Sequence, residues 1–128
     1  NYSYKNTSHQ TAYNEKFEDE FKKFEWELKP FLNKEPRLIG DFRKNLVFVE
    51  IQFGNSATIY RDFYKFQYGH RNGLLSLSIL IVPTNPMSFF PSRVKSVSNI
   101  AEYNLAKRYF TILQIQVPTI IIGLLPKN

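Results

Sequence analysis

The chain has no cysteine and only two histidines, His9 and His70. Without cysteine there is no disulfide, no thiolate-ligated zinc and no thiol nucleophile. The histidines do not pair at metal-ligand spacing, and His70 lies in a Tyr-Gly-His-Arg-Asn-Gly run that reads as a surface turn. The five glycines form neither a phosphate loop nor a dinucleotide fingerprint. Ser, His and Asp do not fall into a hydrolase triad. No apolar run approaches the ~20 residues of a membrane span. The longest, Leu74 to Pro83 and Val117 to Pro126, have strand length and are interrupted by polar residues, Pro or Gly. There is no signal-peptide pattern. These absences lead to the expectation of a cytoplasmic protein with no membrane partner. A first residue of Asn1 rather than Met points to a fragment or a processed chain.

Acidic residues are scarce in one part of the chain. Residues 1–50 hold nine Lys/Arg against nine Asp/Glu, whereas residues 51–128 hold eight Lys/Arg against only Asp62 and Glu102. The net charge of +6 therefore comes from the later residues. Such one-sided basicity suits a polyanion, and it is equally compatible with a basic protein that has no such partner.

What is present is enough for a core. With 128 residues, 43% hydrophobic and 16% aromatic, the chain reads as one domain over 1–128 with a polar, flexible arm over 1–10. Thr11 to Leu32 reads as an amphipathic helix, with Phe17, Phe21, Phe24 and Leu28 on one stripe and Pro30 limiting its end. Arg37–Phe42 and Leu46–Phe53 read as strands, Ser56 to about Tyr68 as a helix bracketed by Gly69 and Gly73, and Leu74–Val82 as a strand buried on both faces. Thr84–Ser92 reads as a loop, because it contains Pro86 and Pro91. Ser98 to about Gln114 reads as a helix with Ile100, Ala101, Leu105, Tyr109 and Ile112 inward, and Gln116–Leu124 as a last buried strand. The order α-β-β-α-β-α-β predicts an α/β fold: a mixed β-sheet flanked by helices, opening with an antiparallel hairpin and continuing with parallel neighbours.

The run from Asp41 to Asn55 is the most informative. Leu46, Phe48, Glu50 and Gln52 alternate with Val47, Val49, Ile51 and Phe53, which is strand periodicity with two polar residues on one face. With Lys44-Asn45 as the turn, Asp41 pairs with Phe48 and is the diagonal neighbour of Glu50. Two carboxylates and an amide converge, which suits a hard divalent cation such as Mg²⁺. A turn-flanking Asp and an exposed strand Glu would be the ordinary alternative. Glu is depleted in strands, yet Glu50 sits in the most apolar part of the hairpin, and Gly54-Asn55 ends the strand abruptly.

At these residues the chain resembles the PD-(D/E)xK nucleases, and within them the BglII/BstYI-type restriction endonucleases. That superfamily places Asp, a gap, then Glu-x-Lys on a hairpin, and this branch carries Gln where Lys usually stands. Asp41 followed by Glu50-Ile51-Gln52-Phe53-Gly54 is similar to that branch. The likeness continues through Asp62 and Lys65-Phe66-Gln67 to Val117–Gly123, and is less clear before Arg37. The resemblance implies a restriction-endonuclease-like core and a Mg²⁺-dependent type II enzyme that hydrolyses double-stranded DNA at a short palindromic site, with GATC-containing sites the guess. A palindromic site calls for a homodimer. It implies Asp41, Glu50 and Gln52 as catalytic residues, and Asp41, Glu50 and the carbonyl of Ile51 as metal ligands.

Gln52 would orient water, but it cannot supply the positive charge of the usual lysine. Lys65 is a candidate for a displaced cation, against the ordinary reading of a solvated helix lysine. Asn14, Glu15 and Glu18 on the first helix are further candidates near a metal, against plain helix charge. Asn55 and Ser56 follow the catalytic strand, where the resemblance implies contacts to base edges; both are also strong helix caps. Lys65, Asn85 and Arg93 complete the DNA-binding candidates, with Ser88 and Ser92 beside them. Arg61, Arg71, Lys95, Lys107 and Arg108 are generic phosphate contacts or solvated surface. A catalytically silent DNA-binding or assembly module on the same fold is the competing expectation, motivated by Gln52 and the short chain, and a nuclease acting on structured or single-stranded nucleic acid is a third.

Overall fold

The computed structural model describes residues 9–90 and 100–127. Residues 1–8 of the expected 1–10 arm, and Ser92, Arg93, Lys95 and Ser98, lie outside the described residues, while His9 and Gln10 of that arm open a helix instead. A five-stranded mixed sheet forms the centre, with strand order β1-β4-β5-β6-β7. Its strands are β1 (Glu27–Leu28), β4 (Phe42–Lys44), β5 (Val47–Ile51), β6 (Leu77–Pro83) and β7 (Thr119–Leu124). β2 (Phe31–Asn33) and β3 (Leu38–Ile39) pair separately as a small two-stranded sheet. The helices are α1 (His9–Lys23), α2 (Thr58–Arg71), the short α3 (Pro86–Phe89) and α4 (Tyr103–Leu113). The hairpin β4–β5 is antiparallel, and β5–β6 and β6–β7 are parallel, as crossovers through helices require.

Alternation along β5 feeds two cores. Phe48 faces Ile59, Phe63 and Phe66 of α2, together with Leu80 and Val82 of β6 and Ala106 of α4. Val49, Ile51 and Phe53 face the other way, into a cluster with Phe42, Ile81, Phe89, Phe90 and Ile100. α1 covers that second cluster, where Phe21 stacks on Phe42 at 4.1 Å between ring centroids and Tyr13 stacks on Phe53 at 5.1 Å. Glu50 follows the alternation and lies on the α2 face.

Several boundaries differ from expectation, each for a local reason. α1 ends at Lys23 instead of continuing to Leu32. Glu25 and Lys29 take positive φ (65° and 51°), and Phe24, Trp26 and Leu28 alternate with polar residues in the strand period rather than the helix period. The first expected strand is divided at Gly40-Asp41, because Leu38–Ile39 pairs with β2 and Phe42–Lys44 with β5.

The hairpin register is Phe42↔Val49, Arg43↔Phe48 and Lys44↔Val47, so the turn is Asn45-Leu46 and not Lys44-Asn45. Asn45 takes the left-handed φ of 54°, which asparagine tolerates better than lysine. The shift amounts to two residues of pairing and leaves every side chain on its expected face. Extended by one step, the register sets Asp41 opposite Glu50.

A short helix occupies part of the expected 84–92 loop. α4 begins at Tyr103 with the Glu102 side chain accepting from the Asn104 and Leu105 amides, while Ile100 and Ala101 are buried ahead of it. Ile112 is 72% exposed rather than inward. β7 is an edge strand with Ile120 and Ile122 exposed, not a fully buried one.

Candidate active site

Asp41 is held through its backbone and its side chain. Its carbonyl accepts from the Lys29 amide at 2.9 Å, and its Oδ2 accepts from the Ile51 amide at 2.7 Å. Gly40 makes this approach possible: a Cβ there would stand 2.0 Å from the Phe48 ring, which is fully buried.

Glu50 is 3% exposed and ion-pairs through Oε1 with Lys65 Nζ at 3.0 Å. The lysine comes from α2, on the face that Glu50 shares with Phe48. Burial, more than any other cause, pushes the Glu50 carboxyl well above its ordinary value; Asp41, by its charge and a shared hydrogen bond, and Asp62 push it further, while Lys65 opposes them. The two strand carboxylates are therefore close enough to repel.

The third residue of the run is anchored at both ends of its amide. Gln52 Oε1 accepts from the Gly54 amide at 2.9 Å, and Gln52 Nε2 donates to Asp62 Oδ2 at 2.8 Å. The Gly54 N–H can only donate, which fixes the amide's orientation. The Gln52 backbone amide in turn bonds the Ile81 carbonyl at 2.9 Å, locking the end of β5 to β6.

Asp62 is a site residue that sequence reasoning did not place among its candidates. It is 2% exposed, and its carboxyl is pushed up to about 7, chiefly by burial, with Asp41 adding to the rise and Gln52, Lys65 and Arg61 opposing it. The signal was legible: Ile59, Asp62, Phe63 and Phe66 fall on one helical stripe, so a carboxylate stands within an otherwise apolar face.

The remaining candidates are placed as follows. Asn55 is exposed, and its Oδ1 accepts from the Ala57 amide at 2.8 Å, while its carbonyl accepts from the Thr58 amide and hydroxyl. That is the turn leading into α2, although the residue at the helix cap is Ala57. Ser56 is half-buried in the same turn. Asn85 is exposed ahead of α3 with no side-chain capping bond. Because β5 and β6 are parallel, Asn55 and Asn85 follow the same end of the sheet, the end that carries Gln52. Glu18 of α1 reaches Lys29 at 3.9 Å, and Glu15 is exposed. Arg37, Arg61 and Lys65 line a cleft of about 430 Å³ with Leu38, Ile39 and Tyr64, and no acidic side chain lines it.

Among the described residues no three His, Cys, Asp or Glu side chains form a metal-binding group. Asp41 and Glu50 nevertheless offer an all-oxygen pair whose mutual repulsion a cation would relieve. One or two carboxylates, completed by waters and phosphate oxygens, is the protein share typical of Mg²⁺ sites. The donor set fits a hard divalent ion.

The acidic cluster thus lies at the β4–β5 hairpin of a mixed sheet and on the helix that follows it. The sequence matches the family described as restriction endonuclease BglII/BglIII over residues 2–124, and the chain belongs to that family. No curated protein matches the sequence. Among solved structures, the fold is similar to restriction endonuclease BglII complexed with a DNA 16-mer, with a TM-score of 0.76 and 19% sequence identity. The match covers 91% of this chain and 55% of that one, so this chain spans about half the length of its structural relative. Among the described residues no helix is long and apolar enough to cross a membrane.

Proposed function

We propose that this chain is the catalytic domain of a Mg²⁺-dependent type II restriction endonuclease, hydrolysing phosphodiester bonds of double-stranded DNA at a short palindromic site. The observation that carries the reading is the juxtaposition of Asp41 and Glu50 at one point of the β4–β5 hairpin, with Asp62 and Lys65 converging on it from α2. Family membership supports the same chemistry.

In this reading Asp41 and Glu50 hold the cation, with the Ile51 carbonyl as a backbone ligand. A bound divalent ion supplies Lewis-acid polarisation of the phosphate and an activated water. Asp41 is positioned for its task by the Ile51 amide. Gln52 spans from Gly54 to Asp62 and fixes the strand end from which water and phosphate are addressed. Asn55 and Asn85 lie at that end of the sheet, where base edges would be read, and Arg93 is assigned to the same task from sequence alone. The palindrome calls for a homodimer, each copy cutting one strand, in the cytoplasm. A GATC-containing site is the first to test.

The test is incubation of the purified protein with unmethylated phage DNA in Mg²⁺ and in EDTA. Discrete fragments that require Mg²⁺ are expected, and sequencing their ends gives the site. A second reading, a catalytically silent DNA-binding or assembly module, is favoured by the neutral Gln52 at the position of the usual lysine. It predicts salt-sensitive DNA binding and no metal-dependent product.

A further inference from the structure

Lys65 stands between two environments. On one side its Nζ pairs with Glu50 Oε1 at 3.0 Å, with side-chain exposures of 12% and 4%. On the other side it lines the cleft shared with Arg37 and Arg61, whose other lining groups are Leu38, Ile39 and Tyr64. Three cations and a tyrosine, with no carboxylate among them, make a cleft suited to a phosphodiester group. The ammonium that Gln52 lacks is thus present at the site, delivered from α2 and held by the carboxylate that the nuclease reading assigns to the cation.

We propose that Lys65 is an exchangeable cation: it pairs with Glu50 in the metal-free protein, and when a divalent ion takes Glu50 it turns into the Arg37–Arg61 cleft to contact a DNA phosphate. A lysine suits this exchange because its charge sits on a flexible four-carbon stem with three rotatable donors. A divalent ion on Glu50 also repels the ammonium, so loading the site and releasing the lysine are one event. Lys65 would then strengthen DNA binding far more when the ion is present than when it is absent. This inference rests on the nuclease reading of Asp41 and Glu50.

The experiment has two parts. In the wild-type protein without DNA, Mg²⁺ is titrated while the lysine side-chain nitrogens and the Gln52 and Gly54 amides are followed by NMR, with Lys65 assigned by its loss in Lys65→Arg. Both sets of signals are expected to move together. If the amides stay fixed, the cation site itself is wrong. If the amides move and Lys65 does not, this inference alone is overturned.

In the second part, duplex affinity is measured by anisotropy in Ca²⁺ and in EDTA for wild type, Lys65→Met and Lys65→Arg. Lys65→Met is expected to weaken binding roughly tenfold more in Ca²⁺ than in EDTA, with a salt dependence in Ca²⁺ shallower by about one unit. Lys65→Arg is expected to restore most of the loss. An equal loss in both conditions, or none in Ca²⁺, overturns the proposal. The NMR titration is read on the wild-type protein and needs only the conservative Lys65→Arg for assignment, so it decides the matter even where Lys65→Met folds poorly.

Discussion

Gln52 donates to Asp62 across 2.8 Å, joining the end of β5 to a buried carboxyl on α2. The other end of the same amide accepts from Gly54. A Gln52→Ala variant leaves both the Asp62 carboxyl and the Gly54 amide without these partners. We expect a loss of about 1–3 kcal/mol, read as a lower urea midpoint at unchanged slope. A variant as stable as the wild type would show that water replaces the amide at no cost.

The buried carboxyl also sets a pH dependence. Asp62 titrates near 3.8 when unperturbed and at about 7 in the folded protein. The folded state therefore holds a proton over that interval that the unfolded chain has released. Stability is fully present below the ordinary value and falls as pH rises through about 7. In EDTA the melting temperature should drop over this window, by an amount on the order of a few kcal/mol in stability at most. Asp62→Asn, which keeps an acceptor for Gln52, should make the profile shallower and leave the share of Glu50, whose carboxyl burial also raises. A profile unchanged by that substitution would assign the dependence to Glu50 instead.

Divalent ions should act in the opposite sense. On the proposed assignment the ionised carboxylates hold Mg²⁺ or Mn²⁺, so thermal stabilisation by the ion should grow as pH rises from 5.5 to 8, roughly tracking carboxyl deprotonation. Equal stabilisation at both ends of that range would place the ion away from Asp41 and Glu50.

On the proposed reading, in which Glu50 is a cation ligand, Glu50→Ala should reduce cleavage by at least about 10³-fold, because losing such a ligand removes several kcal/mol of transition-state stabilisation. Duplex binding in EDTA should persist. Wild-type cleavage by this variant, measured in single-turnover assays, would remove Glu50 from the mechanism.

Gly40→Ala tests the approach that sets Asp41. A methyl at this position meets the Phe48 ring at 2.0 Å, and a fully buried ring has little room to move. Overpacking of this kind costs roughly 1–3 kcal/mol. It should reduce cleavage further than the stability loss explains, because it displaces Asp41 from the Ile51 amide. Full activity at reduced stability would show that the Asp41 position does not depend on that packing.

The hairpin was the most legible part of the sequence. Period-two alternation placed Phe48 and Glu50 on one face without any knowledge of their neighbours, and the long apolar run of β6 announced a central strand. The failures came where local patterns compete. Phe24 and Leu28 fit a helical stripe as well as they fit alternation with Trp26, and only the left-handed residues Glu25 and Lys29 decide for strands. The Lys65–Glu50 pair was out of reach because fifteen residues and a strand-to-helix crossover separate its members. Lys65 therefore read as a solvated helix lysine ahead of a displaced cation. Asp62 was within reach, since its place in the stripe of Ile59, Phe63 and Phe66 marks it as buried. The exposure of β7 was not, because continuous hydrophobicity does not distinguish an edge strand from a central one.

The two-residue difference between the expected and the observed hairpin register has a consequence for how this molecule can fail. A slip of that size conserves every inward and outward assignment, although it pulls Phe42 off Phe21, on which it stacks at 4.1 Å. It would also carry Asp41 about 7 Å along the sheet, opposite Phe48 in place of Glu50. Substitutions at Asn45 or Leu46 that favour the slipped turn would thus separate Asp41 from Glu50 with every acidic side chain intact, a lesion read first in cross-strand distances.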